Sequence, residues 1–227
     1  FNMLSKLAIG AAAAAVASAA DTNAWKQRAI YQVLTDRFSK CGSSNDGACT
    51  NLSNYCGGTF KGIQDNLDYI QGMGFDAIWI SPVIDNLDGG YHGYWGRNWE
   101  QINGNFGTED DLKSLVNAAH DKGMYVMVDV VANHVAPVDM DFGQIYPFNS
   151  GDHYHNKCEI TDFSNQGMVE NCRLADLPDL NQGNSWVRQQ LKDWIKNLVQ
   201  KYSFDGIRID TIPEVPKDFW SEYGESA

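Results

Sequence analysis

From residue 21 onward the chain switches between two hydrophobic periods. Ile63, Leu67 and Ile70 recur at spacings of four and three, one face of a helix, and Gly72-Met73-Gly74 stops the pattern. Leu112, Leu115, Val116 and Ala119 mark a second helix. Thr108 is placed to cap it, acidic residues 109–111 suit the positive end of its dipole, and Gly123 closes it. Val187, Leu191, Trp194, Ile195, Leu198 and Tyr202 mark a third, with Ser185 as its expected cap. Between the helices lie short apolar runs, residues 29–34, 75–80, 124–131 and 204–209. Runs without alternation, such as 124–131, are what strands buried on both faces show.

Helix, glycine, apolar strand and polar loop recur in that order, which predicts βα units and a parallel sheet in an α/β fold. No Gly-x-Gly-x-x-Gly follows the first run, which weighs against a dinucleotide site. Long segments follow the runs ending near Pro82 and His134, as in a closed barrel with elaborated C-terminal loops. Residues 135–181 are too long for a plain loop and are expected to form an inserted subdomain. Residues 21–134 then form the first part of a barrel, and residues 182–227 continue it through a fourth strand.

The first 20 residues carry Lys6, an Ala-rich apolar run and a small-x-small site at Ala17-Ser18-Ala19, the pattern of a secretory signal peptide. The run is too short and Ala-rich to span a bilayer well, and no transmembrane segment is expected. Five cysteines fit an extracellular protein. Their grouping makes Cys49–Cys56 and Cys158–Cys172 the simplest pairing. Cys41 is left over, able to compete for Cys49 or to pair outside these residues. Asn51-Leu52-Ser53 is an N-glycosylation sequon, a weak signal alone. The net charge of −12 disfavours nucleic acid and anionic membranes as partners, and 12% aromatic residues suit stacking on sugars.

Two strands end in ionisable residues. Asp129, Asn133 and His134 close one, and Arg208 and Asp210 close the other. In parallel α/β folds chemistry sits at such C-terminal strand ends. Arg208 and Asp210 are two apart and share a face, and an Arg there favours the anion a nucleophile must be. A structural ion pair is the competing explanation. Tyr91-His92-Gly93-Tyr94-Trp95 offers rings for a sugar, or alternatively a packed rim loop. Asn133, Glu170 and Asp179 could supply oxygen ligands for calcium, although no calcium-loop spacing is present.

Together these blocks, with Ile30-Tyr31, Leu34-Thr35-Asp36-Arg37-Phe38, Leu67-Asp68-Tyr69-Ile70, Leu177-Pro178-Asp179-Leu180 and Gly206-Ile207-Arg208-Ile209-Asp210-Thr211, resemble the fungal-type secreted α-amylases of the Taka-amylase kind, from about Trp25 onward. The resemblance implies a (β/α)8 TIM barrel, here roughly its first half, with the insertion after the third strand. It implies endo-acting, retaining hydrolysis of α-1,4-glucosidic bonds in starch or glycogen. It implies Asp210 as nucleophile, Arg208 as its orienting partner, and Tyr91, His92, Tyr94, Trp95, Asp129 and His134 around the substrate. Asn133, Glu170, Asp179 and the backbone carbonyl of Glu214 would hold a structural Ca2+. The cysteine pairs match the family's local bridges. The expected partner is an α-glucan, and the expected setting is a secreted monomer, free or associated with a cell wall.

Two departures accompany the resemblance. Hydrolases of this type usually carry Lys-His where this chain has Pro213-Glu214, which leaves room for transfer to sugar acceptors. A 4-α-glucanotransferase is therefore the rival enzyme, and a non-catalytic amylase-like binding protein the rival of another class. The general acid Glu and a third catalytic Asp fall on later strands of the family's barrel. The 227-residue chain alone is accordingly expected to be inactive and poorly stable, with uncovered sheet edges.

Overall fold

The computed structural model describes residues 20–41 and 49–227. The signal-peptide reading falls, apart from Ala20, outside the described residues. The strands are β1 (Ile30–Val33), β2 (Ala77–Ile80), β3 (Ile84–Asn86), β4 (Gly96–Ile102), β5 (Tyr125–Val130) and β6 (Gly206–Ile209). The helices are α1 (Thr22–Trp25), α2 (Thr35–Phe38), α3 (Phe60–Asp65), α4 (Leu67–Gly72), α5 (Glu109–Asp121), α6 (Gln166–Val169), α7 (Ser185–Tyr202) and α8 (Lys217–Ser226).

Strands β1, β2, β5 and β6 form a parallel sheet in that order, as the recurring βα pattern predicts. Residues alternate between the two faces of a strand. Val33, Ile78, Ile80, Val126, Val128 and Val130 lie on one face and are buried in the same core as the helices. The other face carries Gln32, Trp79, Met127, Asp129, Arg208 and Asp210, and register makes Asp129 and Arg208 direct neighbours. The run at 124–131 is thus not buried on both faces along its length, since Tyr125 and Met127 remain half-exposed. All of β6 is half-buried, and among the described residues no strand pairs with its outer edge.

Helix ends follow local chemistry. Thr108 and Asp111 form a reciprocal capping box on α5, and Gly123 (φ +70°) ends the turn after it. Helix α7 is capped by Asn184, whose side chain accepts from the Trp186 and Val187 N–H groups, and not by Ser185, which is its first helical residue. The correction is physical: the cap must lie outside the helix so that its side chain can turn back onto the orphan N–H groups. The helix expected around Ile63–Ile70 is two helices broken at Asn66, whose side chain donates to the Gly62 carbonyl at 2.8 Å.

The segment after β2 is more ordered than a loop. Strands β3 and β4 pair as an irregular antiparallel hairpin, and residues 91–95 lie in its connection. Residues 135–181 hold α6 and three 3₁₀ turns. Backbone bridges join His134 to Asp179 and Tyr154 to Leu180, so this segment is laced to the end of β5. The bridges Cys49–Cys56 and Cys158–Cys172 are present, and Cys41 is unpaired and exposed. Among the described residues no helix is long and apolar enough to cross a membrane.

Candidate active site

Arg208 organises the strand ends. Its Nη1 donates to Asp210 Oδ1 at 2.8 Å and to both Asp129 oxygens at 3.1 Å. Asp129 Oδ2 also accepts from the Tyr94 hydroxyl (2.8 Å) and the Trp79 indole (3.1 Å). Its side chain is only 1% exposed, so Asp129 is a buried anchor with both oxygens engaged. Burial raises its carboxyl to about 6, outweighing the Tyr94 and Arg208 contacts that pull it down. Asp210 differs: its side chain is 19% exposed, and Arg208 contacts only one of its oxygens. Of the two carboxylates, Asp210 is the more open.

The hairpin connection stands over this row. The Tyr94 N–H donates to His92 Nδ1 at 3.0 Å, which folds the loop back on itself. His92 stacks on Tyr94 (5.7 Å between centroids) and meets Tyr91 and Trp95 edge-on, each at 5.0 Å. Burial, helped by the Arg37 charge, lowers the His92 pKa and favours the neutral imidazole. The half-buried rings of Tyr91, His92, Tyr94 and Trp95 make one continuous aromatic patch.

His134 is fully enclosed and its pKa falls to about 4 through loss of solvation, so it is neutral. One ring nitrogen, Nε2, lies 3.2 Å from the Tyr94 carbonyl oxygen and must carry the proton to donate there. Nδ1 is then an acceptor, and the Asn133 amide nitrogen lies 3.3 Å from it. That tautomer turns the Asn133 oxygen the other way. At that end the amide lies 2.9 Å from Asp179 Oδ1 and 3.2 Å from the Glu214 carbonyl oxygen. In this orientation of the amide three oxygens converge. Rotating the amide would satisfy Asp179 and Glu214 but would oppose an oxygen to the His134 acceptor. A hard cation would resolve the conflict without the rotation, and an amide, a carboxylate and a carbonyl are suitable ligands for calcium.

Among the described residues no cluster of three His, Cys, Asp or Glu side chains forms a metal site; the convergence brings one carboxylate, that of Asp179, together with an amide and a backbone carbonyl. Asp179 Oδ2 is held by His155 Nδ1 at 2.6 Å, and burial raises the Asp179 carboxyl to about 6. Glu170 is bound by Gln166 (2.7 Å), which also donates to the Pro213 carbonyl (2.9 Å), so it adjoins the Glu214 turn through Gln166. The Glu214 side chain is partly buried and its pKa is raised, chiefly by desolvation with the Asp210 charge adding to it.

Sequence reasoning missed three participants. Trp79 looks like any apolar strand residue, and only the alternation that aligns it with Met127 and Asp129 signals its direction. His155 lies in a segment without periodicity. Arg37 stands 54 residues before Tyr91, with its guanidinium 3.8 Å from the Tyr91 ring centroid.

Parallel βα units with their polar residues gathered at the C-terminal strand ends define part of a β/α-barrel domain. The chain belongs to the α-amylase family: the family described as "Alpha amylase, catalytic domain" matches residues 32–225. It is 45% identical to alpha-amylase 1 of Lipomyces kononenkoae, over 89% of this chain and 35% of that protein. The solved α-amylase of Malbranchea cinnamomea matches with a TM-score of 0.87 and 45% identity, covering 90% of this chain and 46% of the other. A cyclomaltodextrin glucanotransferase with a three-domain ABC distribution matches at a TM-score of 0.78 and 32% identity, over 88% of this chain and 47% of its own. The chain thus spans less than half the length of each.

Proposed function

We propose that this chain carries the nucleophile side of a secreted α-amylase that cleaves internal α-1,4-glucosidic bonds of starch or glycogen with retention of configuration. The observation that carries this reading is the Asp129–Arg208–Asp210 relay, in which one guanidinium nitrogen holds a buried anchor and a partly exposed carboxylate together. In double displacement the carboxylate attacks the anomeric carbon, and a second carboxyl protonates the departing oxygen and then activates water. The open oxygen of Asp210 suits the first role. The family resemblance puts the acid on a later strand. Neutral His92 suits hydroxyl recognition, and the aromatic patch suits the apolar face of a glucose ring; His134, buried with both ring nitrogens engaged, would support the patch from behind through the Tyr94 carbonyl rather than touch the sugar.

Asn133, Asp179 and the Glu214 carbonyl would hold Ca2+, with Glu170 adjoining through Gln166. The ion would supply a crosslink between the 135–181 segment and the barrel, while Asp210 and Arg208 do the chemistry. Two disulfides and the kinship with yeast and fungal amylases support an extracellular setting; association with the cell wall is the narrower form of that reading.

In the protein at its native length, Asp210→Asn should lower starch hydrolysis by at least about 10³-fold while maltoheptaose still binds. Full activity in that variant would refute the reading. Transfer to sugar acceptors is the second reading, favoured by Pro213-Glu214 beside the nucleophile and by the likeness to a glucanotransferase. Products longer than the supplied maltooligosaccharide would identify it.

A further inference from the structure

We propose that Arg37 is a positioning residue that fastens the Cys49–Cys56 loop to Tyr91, so that this disulfide loop sets the stance of the Tyr91-His92 sugar platform. The inference rests on the reading of residues 91–95 as substrate-binding.

The Asp36-Arg37 pair follows β1 directly and clamps the disulfide loop by two routes. Asp36, fully buried, accepts from the Cys56 N–H (2.8 Å) and the Gly57 N–H (3.1 Å), and from Arg37 Nε at 2.8 Å. Arg37 Nη2 donates to the carbonyls of Leu52 (2.8 Å) and Asn54 (2.9 Å). The edge of the guanidinium is therefore committed to the loop. Its face lies over Tyr91 at 3.8 Å from the ring centroid. Tyr91 abuts His92, and His92 abuts Tyr94 and Trp95. A chain of contacts thus runs from an extracellular crosslink to the rings that would hold the sugar.

A planar guanidinium can bond carbonyls along its edge and stack on a ring with its face at the same time. A lysine ammonium cannot do both, so the arrangement demands arginine for its shape as well as its charge. Tyr91 is half-buried, and Arg37 is the cation over its ring. The Arg37 charge also helps lower the His92 pKa, which keeps the imidazole neutral for hydroxyl recognition.

The test uses the protein at its native length carrying Asp210→Asn, with maltoheptaose binding measured by calorimetry. Arg37→Lys and Tyr91→Leu should each weaken binding about 3- to 20-fold. Combined, they should weaken it no further than the worse single change, since both break one link. Replacing the disulfide with Cys49→Ser and Cys56→Ser should weaken binding similarly, and should have no added effect once Tyr91→Leu is present. Tyr91→Phe keeps the ring and should fall less than Tyr91→Leu.

Tyr91→Leu leaves every Arg37 hydrogen bond to the loop in place, so it remains informative even if the Arg37 variants fold poorly. Parent-like affinity in the Arg37→Lys and cysteine variants, or additive losses with Tyr91→Leu, would overturn the proposal. A second readout is independent of glucan. The His92 imidazole, followed by NMR, should titrate at higher pH in Arg37→Gln than in the parent. A parent that binds no glucan but shows this rise refutes the substrate reading while preserving the link from Arg37 to the platform. A His92 titration unchanged by Arg37→Gln counts against the link itself.

Discussion

Asp129 shows what the site costs. It is enclosed by Arg208, Tyr94 and Trp79, with the Asp210 charge nearby, and burial still lifts its carboxyl from 3.8 to about 6. The folded state therefore holds that proton more tightly than the unfolded chain. Its contribution to stability is full below about pH 4 and is lost as pH rises through 6. Asp129→Asn removes the titration. The variant should gain about 1–3 kcal/mol relative to the parent between pH 5 and pH 7, the upper figure being reduced because Arg208 is partly solvated. Thermal melts across that range check the sign; a variant that loses ground as pH rises would contradict it. At this scale much was legible: Asp129, Arg208 and Asp210 stood out because strands have no packing reason to end in charges. Trp79 did not, because an indole in an apolar run looks like core until register shows which carboxylate it meets.

The β3–β4 hairpin is the element that brings the aromatic platform to the strand ends. Its signal in the sequence is weak because the pairing is irregular, with register shifts on both sides of Asp85. The helices and parallel strands were readable because their periods are regular and glycines punctuate them. Helix breaks such as Asn66 depend on a side chain capturing its own backbone, which periodicity does not report. Within the connection, Gly93 has φ +90°, and a Cβ there would meet the Pro82 carbonyl oxygen at 2.7 Å and Cδ at 2.8 Å. Gly93→Ala should therefore cost about 1–3 kcal/mol of stability. It should also weaken maltoheptaose binding more than it slows hydrolysis at saturation, because the loop moves and Asp210 does not. A KM unchanged from the parent would show that the loop does not hold substrate.

Over the whole molecule, the 135–181 segment is tied to the end of β5 by the Leu180–Asn133 backbone bond, and the Val135–Pro178 and His155–Asp179 backbone bonds close the segment on itself. The Asn133 amide, the Asp179 carboxylate and the Glu214 carbonyl meet at that seam. If calcium sits there, a chelator should lower the melting temperature and added Ca2+ should restore it, by up to about 4 kcal/mol at a thousandfold excess over Kd. Asn133→Ala should abolish that response, and a parent indifferent to both treatments would remove calcium from the account. The sequence offered the candidate ligands chiefly through family resemblance, because 46 positions separate Asn133 from Asp179 and no local spacing joins them. The contacts of His134 with Asn133 and the Tyr94 carbonyl, which bear on how the Asn133 amide faces the seam, exist only once the chain is folded.

The most direct measurement is to trap the glycosyl-enzyme. A fluoride-activated, slow-turnover maltosyl donor depends little on the general acid, so it reports on the nucleophile itself. The labelled protein would be digested and the modified peptide located by mass spectrometry. The account predicts a covalent sugar on Asp210. A label on Asp129 or on any other carboxylate would contradict it.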